Sequence, residues 1–195
     1  MNKKKIIQIG IIIFVIVFVA ICIAIVQFSK KDLEEAKKGL EETQKKYGWV
    51  EKENIDVLVA KFNTQVMDND SSSLNPASTD YLTESNNEYW YGLIEGVYLV
   101  VVPEKYTGDK TKETVNYTFL YVDKTSKYES DAISYIKHLI KANNSEITDS
   151  EIDTLLEDAK TKTNSGKTAN NGKGISIGYT ENDEAYQYQV LRLYK

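Results

Sequence analysis

Residues Tyr89–Val102 read YWYGLIEGVYLVVV, and they end at Pro103. The stretch is rich in aromatic and β-branched residues, the types that fit a pleated, half-buried surface, so it reads as a strand. Alternate positions divide it into two faces. Tyr89, Tyr91, Leu93, Glu95, Val97, Leu99 and Val101 lie on one, and Trp90, Gly92, Ile94, Gly96, Tyr98, Val100 and Val102 on the other. Both are largely apolar, which predicts a central strand covered on both sides. Fourteen residues are many for one strand, so Gly92 or Gly96 is expected to mark a bend or bulge.

Downstream, Thr114–Asp123 reads as a second strand, with Val115, Tyr117, Phe119 and Tyr121 on one face. The intervening Pro103–Glu113 is expected to form a long, exposed, lysine-bearing hairpin tip. Helical spacing then places Ile133, Ile136, Leu139 and Ile140 on one side of a helix over 131–142. A further helix has a clear start. Thr148 and Glu151 form an S/T-x-x-E capping box, flanked by Ile147 and Ile152 at the staple positions. Residues 174–180 and 185–194 read as a closing hairpin turning at Asn182-Asp183. Upstream, Ile55, Leu58, Val59, Phe62 and Val66 make the apolar stripe of a helix over 54–67, with Asn54 as its cap. Residues 68–88 are polar and read as a long surface loop.

Two hairpins separated by two helices predict an α+β domain over 50–195. It would hold an antiparallel sheet of about four strands packed with about three helices.

Ahead of that domain, Ile6–Phe28 is 23 residues without a charge. As a helix it would span about 35 Å, enough for a bilayer core, so a single-pass transmembrane helix contacting lipid is expected. A cleaved signal peptide would have a shorter apolar run and a small-x-small site. Cys22 follows the bulky Ile21, which disfavours a lipoprotein reading. Lys3, Lys4 and Lys5 place residues 1–5 inside and the body outside. Residues 29–49 read as a charged helical stalk. Leu33, Leu40 and Tyr47 recur every seven residues, enough for weak self-association at most.

Charge and composition narrow the function. The 195 residues carry 24 basic and 29 acidic side chains. Three of the basic ones fall in the first 29 residues, leaving 21 against 29, or −8, in the rest. An acidic body argues against nucleic-acid binding. One cysteine and one histidine exclude a disulfide framework and a Cys- or His-rich metal centre, so no cofactor is expected. Lysine replaces arginine almost throughout, Arg192 being the exception, and tyrosine occurs 14 times. Such codon usage points to an AT-rich, low-GC Gram-positive genome. The plan resembles that of membrane-tethered extracytoplasmic proteins of such bacteria, a likeness of architecture that implies no activity.

Motifs for chemistry are sparse. Gly166-Lys167-Thr168 echoes a phosphate loop, but Thr161 stands where its first glycine belongs. Asp68, Asp70 and Ser72 echo a calcium loop that lacks its glycine and its closing glutamate. His138 has no nucleophile motif beside it. Glu95 is the most unusual acid, set in an apolar strand where a buried carboxylate needs a partner. Arg192 or a lysine of a neighbouring strand could supply it, Arg192 first, and Glu95 and Arg192 are the candidate charge site, structural rather than catalytic. The reading is a non-enzymatic binding or assembly module at the cell membrane, with a protein or cell-envelope partner. The alternatives are an accessory subunit of a secretion- or conjugation-type membrane complex, and a cell-envelope hydrolase.

Overall fold

The structure is a computed structural model. It describes residues 34, 35, 37–39, 41, 42, 48, 50–69, 74–162, 168–170 and 172–192. The chain divides into two compact units, 1–44 and 45–195. In the first, the described residues are helical and exposed.

The second unit is built on one antiparallel seven-stranded sheet. Its elements are α1 (Ile55–Asn69), a short 3-10 turn (Thr79–Tyr81), β1 (Leu82–Ser85), β2 (Glu88–Ile94), β3 (Val97–Pro103) and β4 (Val115–Asp123). There follow α2 (Glu129–Asn143), α3 (Asp149–Thr161), β5 (Ala169–Asn170), β6 (Ile175–Glu181) and β7 (Ala185–Arg192). The strand order is β1-β2-β3-β4-β7-β6-β5.

The expected four strands are thus corrected to seven. The long strand over 89–102 is a hairpin. Gly96 has φ +73, a left-handed conformation that glycine adopts without strain, and the chain reverses at Glu95-Gly96. Tyr91 pairs with Leu99 and Tyr89 with Val101, so odd residues still oppose odd ones and the two faces survive the reversal. The turn is pinned. The Ser126 hydroxyl donates to the Glu95 carbonyl at 2.8 Å, and the Asp123 amide donates to the Gly96 carbonyl at 2.8 Å.

The expected long loop over 68–88 contains strand β1. Asn86 and Asn87, at φ 53 and 64, join it to β2 through a two-residue turn between Ser85 and Glu88. Two successive left-handed residues match the twist of a hairpin, and asparagine tolerates that conformation. The expected tip over 103–113 joins β3 to β4 and is largely exposed, Lys105 and Lys112 included, but two of its residues anchor it. Tyr106 packs on the buried Tyr89, with ring centroids 5.6 Å apart. Buried Glu113 accepts from the amides of Thr107 and Gly108, closing the loop on itself. Asn54, expected to cap α1, instead donates its amide to the Thr111 carbonyl at 2.6 Å.

A second correction concerns the membrane. No helix among the described residues is long and apolar enough to cross one. Residues 6–28, on which the expected transmembrane helix falls, lie outside the described residues, as does Cys22. So do 163–167 and 70–73, which hold most of the two motif echoes.

Helix α3 starts where its capping box requires. The Glu151 amide donates to Thr148 Oγ1 at 3.3 Å, and the Thr148 amide to Glu151 Oε2 at 2.8 Å. Its buried residues, Ile152, Leu155, Leu156 and Ala159, are the expected stripe. The three helices cover one face of the sheet. One core joins Phe62 and Val66 of α1, Tyr135, Ile136 and Leu139 of α2, and Leu155 of α3 to Tyr91, Leu99, Leu120, Tyr188 and Val190 of the strands.

Candidate functional site

Glu95 and Arg192 are not brought together. Glu95 escapes the sheet because it occupies the β2–β3 turn. Its side chain is 80% exposed, and its nearest cation is Lys127, with Nζ 3.9 Å from Oε2. Arg192 ends β7 on the helix side of the sheet. Its Nη1 lies 2.6 Å from Glu53 Oε1 and donates to Asn143 Oδ1 at 3.0 Å, while Nη2 donates to the Glu51 carbonyl at 3.1 Å. The expected Glu95–Arg192 pair is therefore replaced by a Glu53–Arg192 pair. That pair ties the last strand to the segment entering α1. His138 is buried within α2.

What the sheet does assemble lies on the face opposite the helices. Alternation along β2, β3 and β4 sends Trp90, Tyr98, Val100, Val102, Tyr117, Phe119 and Tyr121 there. The register aligns them, with Tyr98 opposite Tyr121, Val100 opposite Phe119 and Trp90 opposite Val100. Trp90 is the hub. Its ring meets Tyr121 at 5.6 Å and 61°, Phe119 at 5.8 Å and 88°, and Tyr98 at 6.1 Å and 65°. Edge-to-face contacts of this kind place positive ring edges against negative ring faces. Tyr117 stacks on Phe119 at 6.4 Å, extending the cluster along β4. Trp90 Nε1 donates to Glu88 Oε2 at 3.0 Å, which fixes the indole.

Val100 and Phe119 are buried, yet neither belongs to the main core; the surrounding aromatic rings shield them. Tyr98 is exposed, and Trp90, Tyr117 and Tyr121 are half-buried.

The two halves of this face differ in chemistry. An antiparallel sheet with one solvated face ordinarily alternates apolar residues inward with polar ones outward. The β6–β7 half largely follows that rule, with Ser176, Thr180, Gln187 and Gln189 pointing outward and Leu191, opposite Tyr117, as the apolar exception. The β2–β4 half breaks it. From Trp90 through Tyr98, Phe119 and Tyr121 the outward positions are aromatic or aliphatic. Charged side chains appear at the ends of the strip, Glu88 and Asp123. Glutamines 187 and 189 sit directly opposite Tyr121 and Phe119 and form its polar border.

The expected cover on both faces is thus corrected: α1, α2 and α3 pack on one face. The aromatic alternation was visible, but whether a second layer exists is decided by helices elsewhere in the chain. The chain matches no protein-family model, no curated protein and no solved structure.

Proposed function

We propose that the domain is a binding or assembly module without catalytic activity, which docks a protein partner on the aromatic half of its open sheet face. One observation carries this reading. Within a single sheet, the outward face of β6–β7 is largely polar, Leu191 excepted, while that of β2–β4 is aromatic, and α1, α2 and α3 pack on the opposite face. Tyrosine, tryptophan and phenylalanine are the residues enriched at protein interfaces, and charge is depleted at interface centres. Contiguous apolar patches on a folded surface mark interaction sites.

The uncharged run over 6–28, preceded by Lys3, Lys4 and Lys5, supports placing the module at the outer face of the cell membrane. An accessory role in a membrane complex is the same reading, with a subunit of the complex as the partner.

The test is photo-crosslinking in the native host from a reactive side chain placed at position 121 or 117, with position 153 on the helical side as control. The expected result is one discrete protein adduct from 121 and 117, absent from 153 and reduced at least tenfold by Trp90→Ala. Adducts confined to 153, or unchanged by Trp90→Ala, would overturn the reading.

A further inference from the structure

At one end of the aromatic strip lies a groove with a chemistry of its own. Strand β1 begins at Leu82, opposite Tyr91, so Gly92–Ile94 of β2 extend beyond it. The segment Asn75–Tyr81 lies alongside them instead and forms a wall. Three elements hold that wall. Asn63 of α1 donates to the Ala77 carbonyl at 2.8 Å and accepts from its amide at 2.7 Å. The buried Tyr135 hydroxyl of α2 donates to the Asn75 carbonyl at 3.1 Å and accepts from the Asn75 amide at 2.8 Å. Asn75 Nδ2 donates to the Leu93 carbonyl of β2 at 3.0 Å. A wall fixed in this way needs little ordering when something binds against it.

The floor is Gly92, between two tyrosines. A Cβ placed on Gly92 would lie 3.5 Å from Tyr81 Cβ and 4.0 Å from Tyr98 Cε1. Tyr81 is 71% exposed and Tyr98 36%, which is high for residues of their size. The groove encloses about 750 Å³. Asp80 and Glu95 are its charged lining residues, and among the described residues no lysine or arginine lines it. Lys127 lies 3.9 Å from Glu95, with both side chains largely in solvent, so their interaction is screened.

We propose that this groove receives a lysine or arginine side chain of the partner that docks on the aromatic strip. The inference rests on that docking reading, because Tyr98 belongs to both surfaces. Tyrosine rings attract a cation to their faces, and two carboxylates line the same groove. The aliphatic stem of a lysine or arginine covers the rings while the charged head reaches Asp80 or Glu95. A purely apolar occupant would strip water from the carboxylates without replacing it, and an anion would be repelled.

The test uses full-length protein in detergent with isotope-labelled tyrosine, titrated with acetyl-Gly-Lys-Gly-Lys-Gly-amide. The comparison peptide carries Nε-acetyl-lysine. Saturable shifts of Tyr81 and Tyr98 are expected with the lysine peptide. Affinity should fall at least tenfold for the acetylated peptide, for Gly92→Val, which fills the floor, and for the doubly substituted Asp80→Asn, Glu95→Gln protein. Both acids are on the surface, so the double variant keeps the fold, as unmoved Tyr135 signals would verify. Equal affinity for the two peptides, or affinity unchanged by the double variant, would overturn the groove assignment. Absence of saturable shifts while the crosslink from position 121 persists would remove this inference and leave the docking reading standing.

Discussion

Arg192 and Glu53 meet at 2.6 Å although 139 residues separate them, and their side chains are 2% and 8% exposed. The contact fastens the end of β7 to the segment that leads into α1. Asn143 and the Glu51 carbonyl take further guanidinium hydrogens, and Lys61 gives Glu53 a second cation at 2.5 Å.

Breaking a buried pair by removing one partner leaves the other charge uncompensated, at a cost of about 3–5 kcal/mol. Arg192→Met should therefore lower the unfolding free energy strongly, by an amount at the lower end of that range because Lys61 still neutralises Glu53. The double variant Arg192→Met, Glu53→Gln should be more stable than Arg192→Met alone. Urea denaturation of the four proteins of the cycle checks both statements, and additive losses would refute the coupling.

Glu95 gives the opposite expectation. Its carboxylate lies in solvent at a turn, so Glu95→Gln should change stability by no more than about 0.5 kcal/mol. A loss of several kcal/mol in thermal or urea unfolding would return Glu95 to the interior of the sheet.

These two residues also show what the sequence could and could not disclose. An acid next to a glycine inside an apolar run is cheaper to place at a turn than to bury, and Glu95-Gly96 was readable in that way. The paired parity of the two flanking strands disguised the reversal, since odd positions face inward on both. Asn86-Asn87 is a turn signal of the same kind, but the strand before it, LTES, is polar and mostly exposed and so carries no apolar alternation. Two-residue β5 offers no pattern at all. By contrast, the start of α3 was legible to the residue, because it depends on local groups, Thr148 and Glu151. The Glu53–Arg192 pair depends on chain topology, which no local pattern encodes.

The capping box allows a measurement of that local information. Thr148→Ala removes the acceptor for the Glu151 amide and should cost about 1 kcal/mol, read as a lower midpoint in urea. An unchanged midpoint would mean that the Thr148 hydroxyl contributes nothing to the start of α3.

Acid sensitivity follows from the other half of the box. Lys173, 2.9 Å away, together with the amide and hydroxyl of Thr148, holds the Glu151 carboxyl down at about 2, against an ordinary 4.5. The folded pKa is the lower one, so this contribution is present above about pH 4.5 and is lost as pH falls towards 2. Melting temperatures measured from pH 6 to pH 2 should drop less steeply in Glu151→Gln than in the unaltered protein. Parallel curves would show that Glu151 carries no part of the acid response.

The last expectation sets two adjacent residues of β4 against each other. Leu120 points into the helical side and is fully buried, whereas Tyr121 points to the open face and touches Trp90 and Tyr98. Leu120→Ala leaves a cavity in a closed core and should cost about 2–5 kcal/mol. Tyr121→Thr places a β-branched residue, which sheets also favour, on a half-exposed surface. It forfeits two edge-to-face contacts worth about 0.5–1.5 kcal/mol each, while threonine, like tyrosine, suits a strand and adds little further loss. The expected ordering is a large loss for Leu120→Ala and a loss near 1 kcal/mol for Tyr121→Thr. If Tyr121→Thr destabilised the domain as much as Leu120→Ala, the aromatic strip would be a second core that the fold itself requires. A small loss means that the sheet keeps its exposed rings for something other than its own stability, as a docking surface does.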